Sequence, residues 1–220
     1  MELDQYMAPG EFVDSGDAGV YEFAKKAAAC ASDDISSAVK LYYAVRDEIL
    51  YDPYYGGAEQ QYFRASDCLR AKRGFCIPKA ALLAAAARSL GIPARVAYAD
   101  VRNHLSTKKL LELMGGDLFI WHSFTELYLG SRWVKATPAF NLSLCQRFGV
   151  HPLEFDGRQD SLFHEFDREG RRHMEYVRER GNYPDVPYEA IVADFKKTYP
   201  HWMKLVSKGK PGNFAAEAQN

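Results

Sequence analysis

The feature that most limits how this chain can fold is a helix with almost no polar face, entered through a cysteine. Arg73-Gly74-Phe75-Cys76-Ile77-Pro78 reads as a tight turn that delivers Cys76 to the first turn of that helix. Gly74 gives the backbone freedom for the approach, and Pro78 fits because first-turn N–H groups have no helical partners. Ala80-Ala81-Leu82-Leu83-Ala84-Ala85-Ala86-Ala87 combines high helix propensity with apolar residues around most of its circumference, so the helix is expected at the centre of the fold. Gly91 is expected at its C′ position, and Ile92-Pro93 bars continuation. A thiol at such a helix start meets the positive end of the macrodipole and free N–H groups, both of which favour the thiolate. Taken alone, Cys76 is also explained as one more small buried apolar residue. The residues downstream decide against that explanation.

The totals give no case for a nucleic-acid binder, a membrane-spanning protein or a disulfide scaffold. A chain of 220 residues can bury one well-filled core with an appended subdomain. A formal charge of −1 gives no case for nucleic acid or an acidic membrane as the main partner. Cys30, Cys68, Cys76 and Cys145 show neither metal-ligand spacing nor a dense disulfide framework. The start, Met1-Glu2-Leu3-Asp4-Gln5, lacks the basic and apolar pattern of a signal peptide, and no run is long enough to span a bilayer. A cytoplasmic protein with reduced thiols is expected, with no nucleic-acid or membrane partner and an oligomeric state the sequence does not specify.

Along the chain, residues 1–19 read as a loosely ordered lead-in. Helices are expected over Val20–Ala31 and, capped by Asp33 or Asp34, over Ile35 to about Leu50. Tyr51-Asp52-Pro53 ends the second. A short helix capped by Ser66 covers Asp67–Lys72. Past Gly91 the pattern changes: a strand at Ala94–Ala99, a helix at Thr107–Met114, a long strand at Leu118–Leu129 and a return strand at Arg132–Thr137. From Cys145 the chain is more polar, with helices expected near Glu169–Arg180 and Pro187–Tyr199.

Gly130-Ser131 between two β-rich runs is a two-residue hairpin turn. Leu129 then lies opposite Arg132 and Phe124 opposite Thr137. His122 shares the parity of Phe124, so it is expected on the same sheet face, a diagonal neighbour of Thr137 at about 7–8 Å. That face is expected to receive the cysteine helix.

Four segments in this order and spacing resemble the core of the transglutaminase-like superfamily: Arg73-Gly74-Phe75-Cys76, Ser89-Leu90-Gly91-Ile92-Pro93-Ala94-Arg95-Val96, Trp121-His122-Ser123-Phe124-Thr125-Glu126-Leu127-Tyr128-Leu129 and Gly130-Ser131-Arg132-Trp133-Val134. The resemblance covers roughly residues 65–141. It implies an α+β, papain-like fold with the cysteine helix packed on an antiparallel sheet and helical extensions, in a superfamily of protein crosslinkers, cysteine proteases and peptide glycanases. It also implies Cys76 as nucleophile and His122 as its general base. Thr137, before Pro138, stands where the family carries an aspartate, and a hydroxyl can orient an imidazole but brings no charge. Asn141 is a candidate substitute, four residues out of place.

An oxyanion hole needs donors aimed at the developing charge; the Cys76 N–H and a side chain such as Gln60, Gln61 or Tyr62 are candidates, the side chains being equally well explained as loop residues facing solvent. Asp156, Asp160 and His164 fit no standard metal set, so no metal and no cofactor is expected. His104, His151, His173 and His201 and the run Arg168–Arg180 read as solvated. The organisation expected is an N-terminal helical segment (1–64), a catalytic core (65–144) and a C-terminal extension (145–220). The function expected is acyl transfer at a peptide or protein amide, by hydrolysis rather than crosslinking. The alternative is a binding or scaffolding domain that kept the fold and lost full activity with the aspartate.

Overall fold

The computed structural model describes residues 3–104, 106–162, 169–170, 174–207 and 213–217. The chain begins with a segment that is pinned, against the expectation of a loose lead-in. Phe12 and Val13 are buried, and the Asp185 carboxylate accepts the backbone N–H groups of Glu11 (2.7 Å), Phe12 (3.2 Å) and Val13 (2.8 Å). Helix α1 spans Ala18–Ala27, with the Asp17 side chain accepting from Val20 N–H, and α2 spans Asp34–Glu48 behind a reciprocal capping box between Asp33 and Ser36. Strand β1, Leu50–Tyr51, follows, and α3 covers Ala65–Ala71. Ser66 lies inside α3 and does not cap it; its N–H is taken by Asp14 of the lead-in at 3.0 Å.

Strand β2, Arg73–Gly74, pairs in parallel with β1 and leads directly into α4, Cys76–Ser89. Every residue from Ile77 to Arg88 is buried, as the pattern of apolar residues requires. Gly91, at φ +85°, closes the helix with two bonds, Gly91 N–H to Arg88 C=O (2.9 Å) and Ile92 N–H to Ala87 C=O (3.0 Å). Strand β3 (Ala94–Asn103) runs longer than expected, and α5 (Lys108–Met114) is capped by Thr107. Strands β4 (Leu118–Leu129) and β5 (Arg132–Ala136) form the hairpin in the expected register, from Leu129 opposite Arg132 to Thr125 opposite Ala136. Gly130 and Ser131 both have positive φ, the type I′ geometry that matches strand twist.

Helix α6 spans Leu142–Phe148. The helix expected near Glu169–Arg180 is instead strand β6, Met174–Tyr183, antiparallel to β3; residues 171–173 lie outside the described set. A strand with a neighbour on one side only can carry charges along its length, and those charges hide its alternation. The main sheet has the order β5-β4-β3-β6, and the fold is α+β. Helices α7 (Tyr188–Thr198), α8 (Pro200–Val206) and α9 (Phe214–Glu217) complete it. The stretch expected as an extension thus supplies a strand of the central sheet.

Two polar residues are buried in α4. Lys79 is fully enclosed and donates to the C=O groups of Arg46 (3.0 Å) and Ile49, closing the end of α2. Burial lowers its pKa to about 7. Arg88 donates to the C=O groups of Ala8 (2.7 Å), Ala94 (2.7 Å) and Pro184.

Two outcomes follow from this packing. Ala84→Phe should overpack the fully enclosed helix and cost about 1–3 kcal/mol, read as a lowered melting temperature; wild-type melting would mean the helix has room around it. Lys79 binds a proton in the unfolded chain up to its ordinary value of 10.5 but in the fold only to about 7. Between those values the unfolded state holds the extra proton, so its contribution makes stability rise with pH, by at most about 1.4 kcal/mol per unit. Urea unfolding of wild type and Lys79→Met from pH 7 to 9 should show a rising difference in favour of wild type; parallel profiles would show that the ammonium survives burial.

Candidate active site

Cys76 is the first residue of α4, set there by the β1–β2 pairing that places Tyr51 opposite Gly74. Gly74 is required for this entry, since a Cβ on it would lie 2.9 Å from Cys68 Sγ and 3.0 Å from Pro78. The backbone N–H groups of Ser123, Ile77 and Cys76 itself are directed at the Cys76 sulfur. Ser123 neighbours His122, so the histidine strand passes directly at the thiol. Cys76 and His122 line one cavity of about 60 Å³ beneath α5, α7, α8 and α9.

His122 reaches that cavity by a route different from the one expected. Ser123, Thr125 and Leu127 face the body of α4, and the Thr125 hydroxyl donates to Ala80 C=O at 2.8 Å. Phe124 packs on the opposite face with Ala97, Ala99 and Val101. The face that His122 shares by parity is therefore not the one that receives the helix. Just before His122 the strand carries a bulge. Ala99 pairs with His122 and Val101 with Phe119, so Ile120 and Trp121 stand against Asp100 alone. Trp121 adopts φ +59°, an unusual left-handed conformation for a bulky residue. It is held there from two sides: its N–H donates to Asp100 Oδ1 (3.1 Å) and its indole N–H to Asp194 Oδ2 (2.8 Å). Arg180 binds both carboxylates, at 2.5 and 2.7 Å, and lies over the indole ring at 4.5 Å.

The electrostatics of the pair run against the expected thiolate. Burial pushes the Cys76 thiol up to about 11, outweighing the three N–H groups that pull it down. Burial also lowers His122 to about 4. At neutral pH Cys76 rests as a thiol and His122 as a neutral imidazole. The helix-start field is real, but it is smaller than the cost of desolvating a sulfur anion.

The other expected site residues have different surroundings. Thr137 is buried, its N–H bound to Ser161 C=O (2.9 Å) and its C=O to the Tyr42 hydroxyl (3.2 Å). Its own hydroxyl has no hydrogen-bond partner among the described residues, so the direct Thr137–His122 bond is not formed. Asn141 accepts from Tyr51 N–H (3.1 Å) and donates to the Ser143 hydroxyl (2.7 Å), which ties β1 to the start of α6. Gln61 is exposed, Tyr62 packs edge-on against Tyr55 at 5.3 Å, and neither lines the cavity.

Tyr51, read from sequence only as part of a helix end, does line the cavity, and burial with the nearby Cys76 sulfur raises its phenol well above the ordinary range. Its signal was a tyrosine in a two-residue strand, too short to stand out.

Among the described residues, no group of three or more His, Cys, Asp and Glu side chains could hold a metal ion. Asp156 instead accepts turn N–H groups of Arg158 and Gln159, Asp160 accepts from Lys135 N–H, and His164 lies outside the described residues. His104 sits between Asp117 (3.7 Å) and Glu175 (3.5 Å), His151 and His201 are exposed, and His173 lies outside the described residues. No described helix is long and apolar enough to cross a membrane.

A family model described as the transglutaminase-like superfamily matches residues 21–138. The chain belongs to that superfamily. Its fold is similar to that of a protein provisionally named a cysteine protease from Cytophaga hutchinsonii, with a TM-score of 0.54 and 17% identity over 86% of this chain and 50% of that one. Red sea bream transglutaminase aligns over 82% of this chain and 40% of its own, at 15% identity and a TM-score of 0.37. The chain thus spans half or less of the length of these two structures. No protein of curated function matches the sequence. The superfamily includes cysteine proteases and transglutaminases.

The neutral resting pair gives a measurable signature. Alkylation of Cys76 by chloroacetamide should rise roughly tenfold per pH unit from pH 7 to 10, following the small thiolate fraction, whereas free cysteine levels off above about 8.5. Mass mapping of each cysteine separates Cys76 from exposed Cys30. A plateau starting below pH 7 would show a stable ion pair and refute the neutral assignment.

Proposed function

We propose that this protein is a cysteine-nucleophile acyl-transfer enzyme acting on an amide, with water as the acceptor. The observation that carries the reading is the placement of Cys76 at the head of α4, against the Ser123 N–H, in a cavity that His122 also lines. The thiol passes its proton to His122 as the sulfur attacks the amide carbonyl, forming the S–C bond. The C–N bond then breaks as the imidazolium returns that proton to the leaving amine. Water, deprotonated by His122, hydrolyses the thioester and restores the thiol. Moving one proton between two neutral groups suits a site where separated charges are costly. Tyr51, kept protonated by burial, is the side-chain donor beside the thiol for the developing oxyanion.

A peptide or protein amide substrate follows from the cysteine-protease members of the superfamily. A second reading has one observation in its favour. Thr137 replaces the acid and its hydroxyl does not bind His122, as in a domain that kept the fold for binding.

p-Nitrophenyl acetate separates the two. An enzyme should show a burst of nitrophenolate with a stable or turning-over acetyl group on Cys76. Cys76→Ala should abolish the burst, and His122→Ala should slow it by about 10²-fold or more, the range general base catalysis supplies. Acetylation spread equally over Cys30 and Cys76, indifferent to His122, would favour the binding domain.

A further inference from the structure

The cavity beside Cys76 has an unusual wall. No Asp, Glu, Lys or Arg is among its described lining residues. Two of the polar atoms it could offer are turned into the backbone: the Tyr199 hydroxyl donates to Leu118 C=O (3.0 Å) and accepts from Ile120 N–H (2.5 Å), and the Trp202 indole N–H donates to Pro53 C=O (2.9 Å). Apart from Tyr51, Asn103, Cys76 and His122, what faces the space is a set of rings and aliphatic chains, chiefly Phe75, Met114, Phe119, Phe140, Trp202 and Phe214. A charged group entering it would give up water and meet no Asp, Glu, Lys or Arg among the described lining residues, at a cost of several kcal/mol. An apolar group would gain its whole transfer free energy.

The chain itself supplies an example of what fits. Phe214, from α9, is buried at the cavity with its ring 5.8 Å from Tyr51 and 5.3 Å from Phe148. Its helix is anchored by polar contacts outside the apolar space: Glu217 binds the Tyr54 hydroxyl (2.6 Å) and Lys109 (2.9 Å), and Arg147 binds Ala215 C=O (3.0 Å). The remaining space of about 60 Å³ is small, so a larger guest needs a lining ring such as Phe214 to move.

We infer that this cavity is the acyl pocket of the site and selects substrates whose acyl part carries an uncharged apolar side chain, aromatic ones included. The inference rests on the cysteine-nucleophile reading above. It names the acyl group: a hydrophobic residue or aryl-alkyl acid in amide linkage. Acyl chains ending in a carboxylate or ammonium are excluded.

The test uses three esters that share a leaving group and differ only in the acyl part: p-nitrophenyl acetate, p-nitrophenyl phenylacetate and the mono-p-nitrophenyl ester of succinate. Acylation of Cys76 in the full chain is followed by nitrophenolate release and mass mapping, each rate divided by that for free cysteine. The phenylacetyl ester should react at least tenfold faster than the anionic ester. Phe214→Ala should widen that ratio, and Met114→Lys should narrow it at least tenfold by placing an ammonium in the wall. Equal ratios for the two esters, or a preference for the succinyl ester, overturn the inference. Binding to Cys76→Ala, followed by ligand-observed NMR, keeps the pocket separate from the chemistry. If no ester acylates Cys76 but phenylacetamide binds and succinamate does not, the catalytic reading fails and the apolar pocket stands. If neither ligand binds and no ester reacts, both fail.

Discussion

Enclosing α4 on all sides is the requirement from which the rest of this structure follows. A helix buried from Ile77 to Arg88 cannot lie on a surface, so α1, α2, α3 and the sheet must surround it. Once enclosed, each polar group it carries needs a partner inside the protein, because an unpaired one costs about 1–3 kcal/mol. Lys79 finds the carbonyls at the end of α2, and Arg88 those of Ala8, Ala94 and Pro184. These bonds fix where the neighbouring chain segments run. The Lys79 contact at Ile49 sets the position of β1, and β1 brings Tyr51 to the thiol. Packing of the central helix and construction of the site are thus one event, seen at two ends of the same bonds.

That enclosure also sets the chemistry. The field at a helix N-terminus, and the three N–H groups directed at the sulfur, lower the thiol pKa, while removal of water raises it. Desolvation wins for Cys76, and it wins for His122 in the opposite direction, so each group is held neutral for the same reason. A site of this kind holds little thiolate in reserve. On the reading proposed above, it would form the nucleophile only when a bound carbonyl can take up the charge, which would link reactivity to occupancy of the cavity.

Sequence disclosed what local rules write. Gly91 marks the end of α4, Gly130-Ser131 fixes the register of β4 on β5, and the segments around Cys76 and His122 indicate the superfamily that the family match bears out. It did not disclose what depends on distant partners. The lead-in looked loose because its anchor, Asp185, lies at the far end of the chain. Strand β6 looked helical because an edge strand can keep its charges. Nothing local says that the Lys79 ammonium will be enclosed. At the site, parity assigned His122 to a sheet face correctly but could not tell which face would meet the helix. The resemblance puts Thr137 at the third position, and the Thr137 hydroxyl does not bind the ring.

The restraint found near His122 comes from the residue before it. Trp121 occupies a conformation that costs of order 1–3 kcal/mol and persists only where its surroundings over-determine it. Here they do so: Asp100 takes the backbone N–H, Asp194 the indole N–H, and Arg180 bridges both while covering the ring. Because the φ and ψ of Trp121 direct the chain into His122, this clamp limits where the imidazole can originate, although it touches neither ring nitrogen. In a triad the acid acts on the imidazole directly, orienting it and stabilising its charge. A backbone clamp can share the first task only, because its carboxylates are neutralised by Arg180 and face away into their own network. On the catalytic reading proposed above, a histidine so held would stay neutral at rest and become charged only in passing. What the structure itself shows is that the backbone leading into His122 is fixed by this clamp, while burial lowers the imidazole pKa.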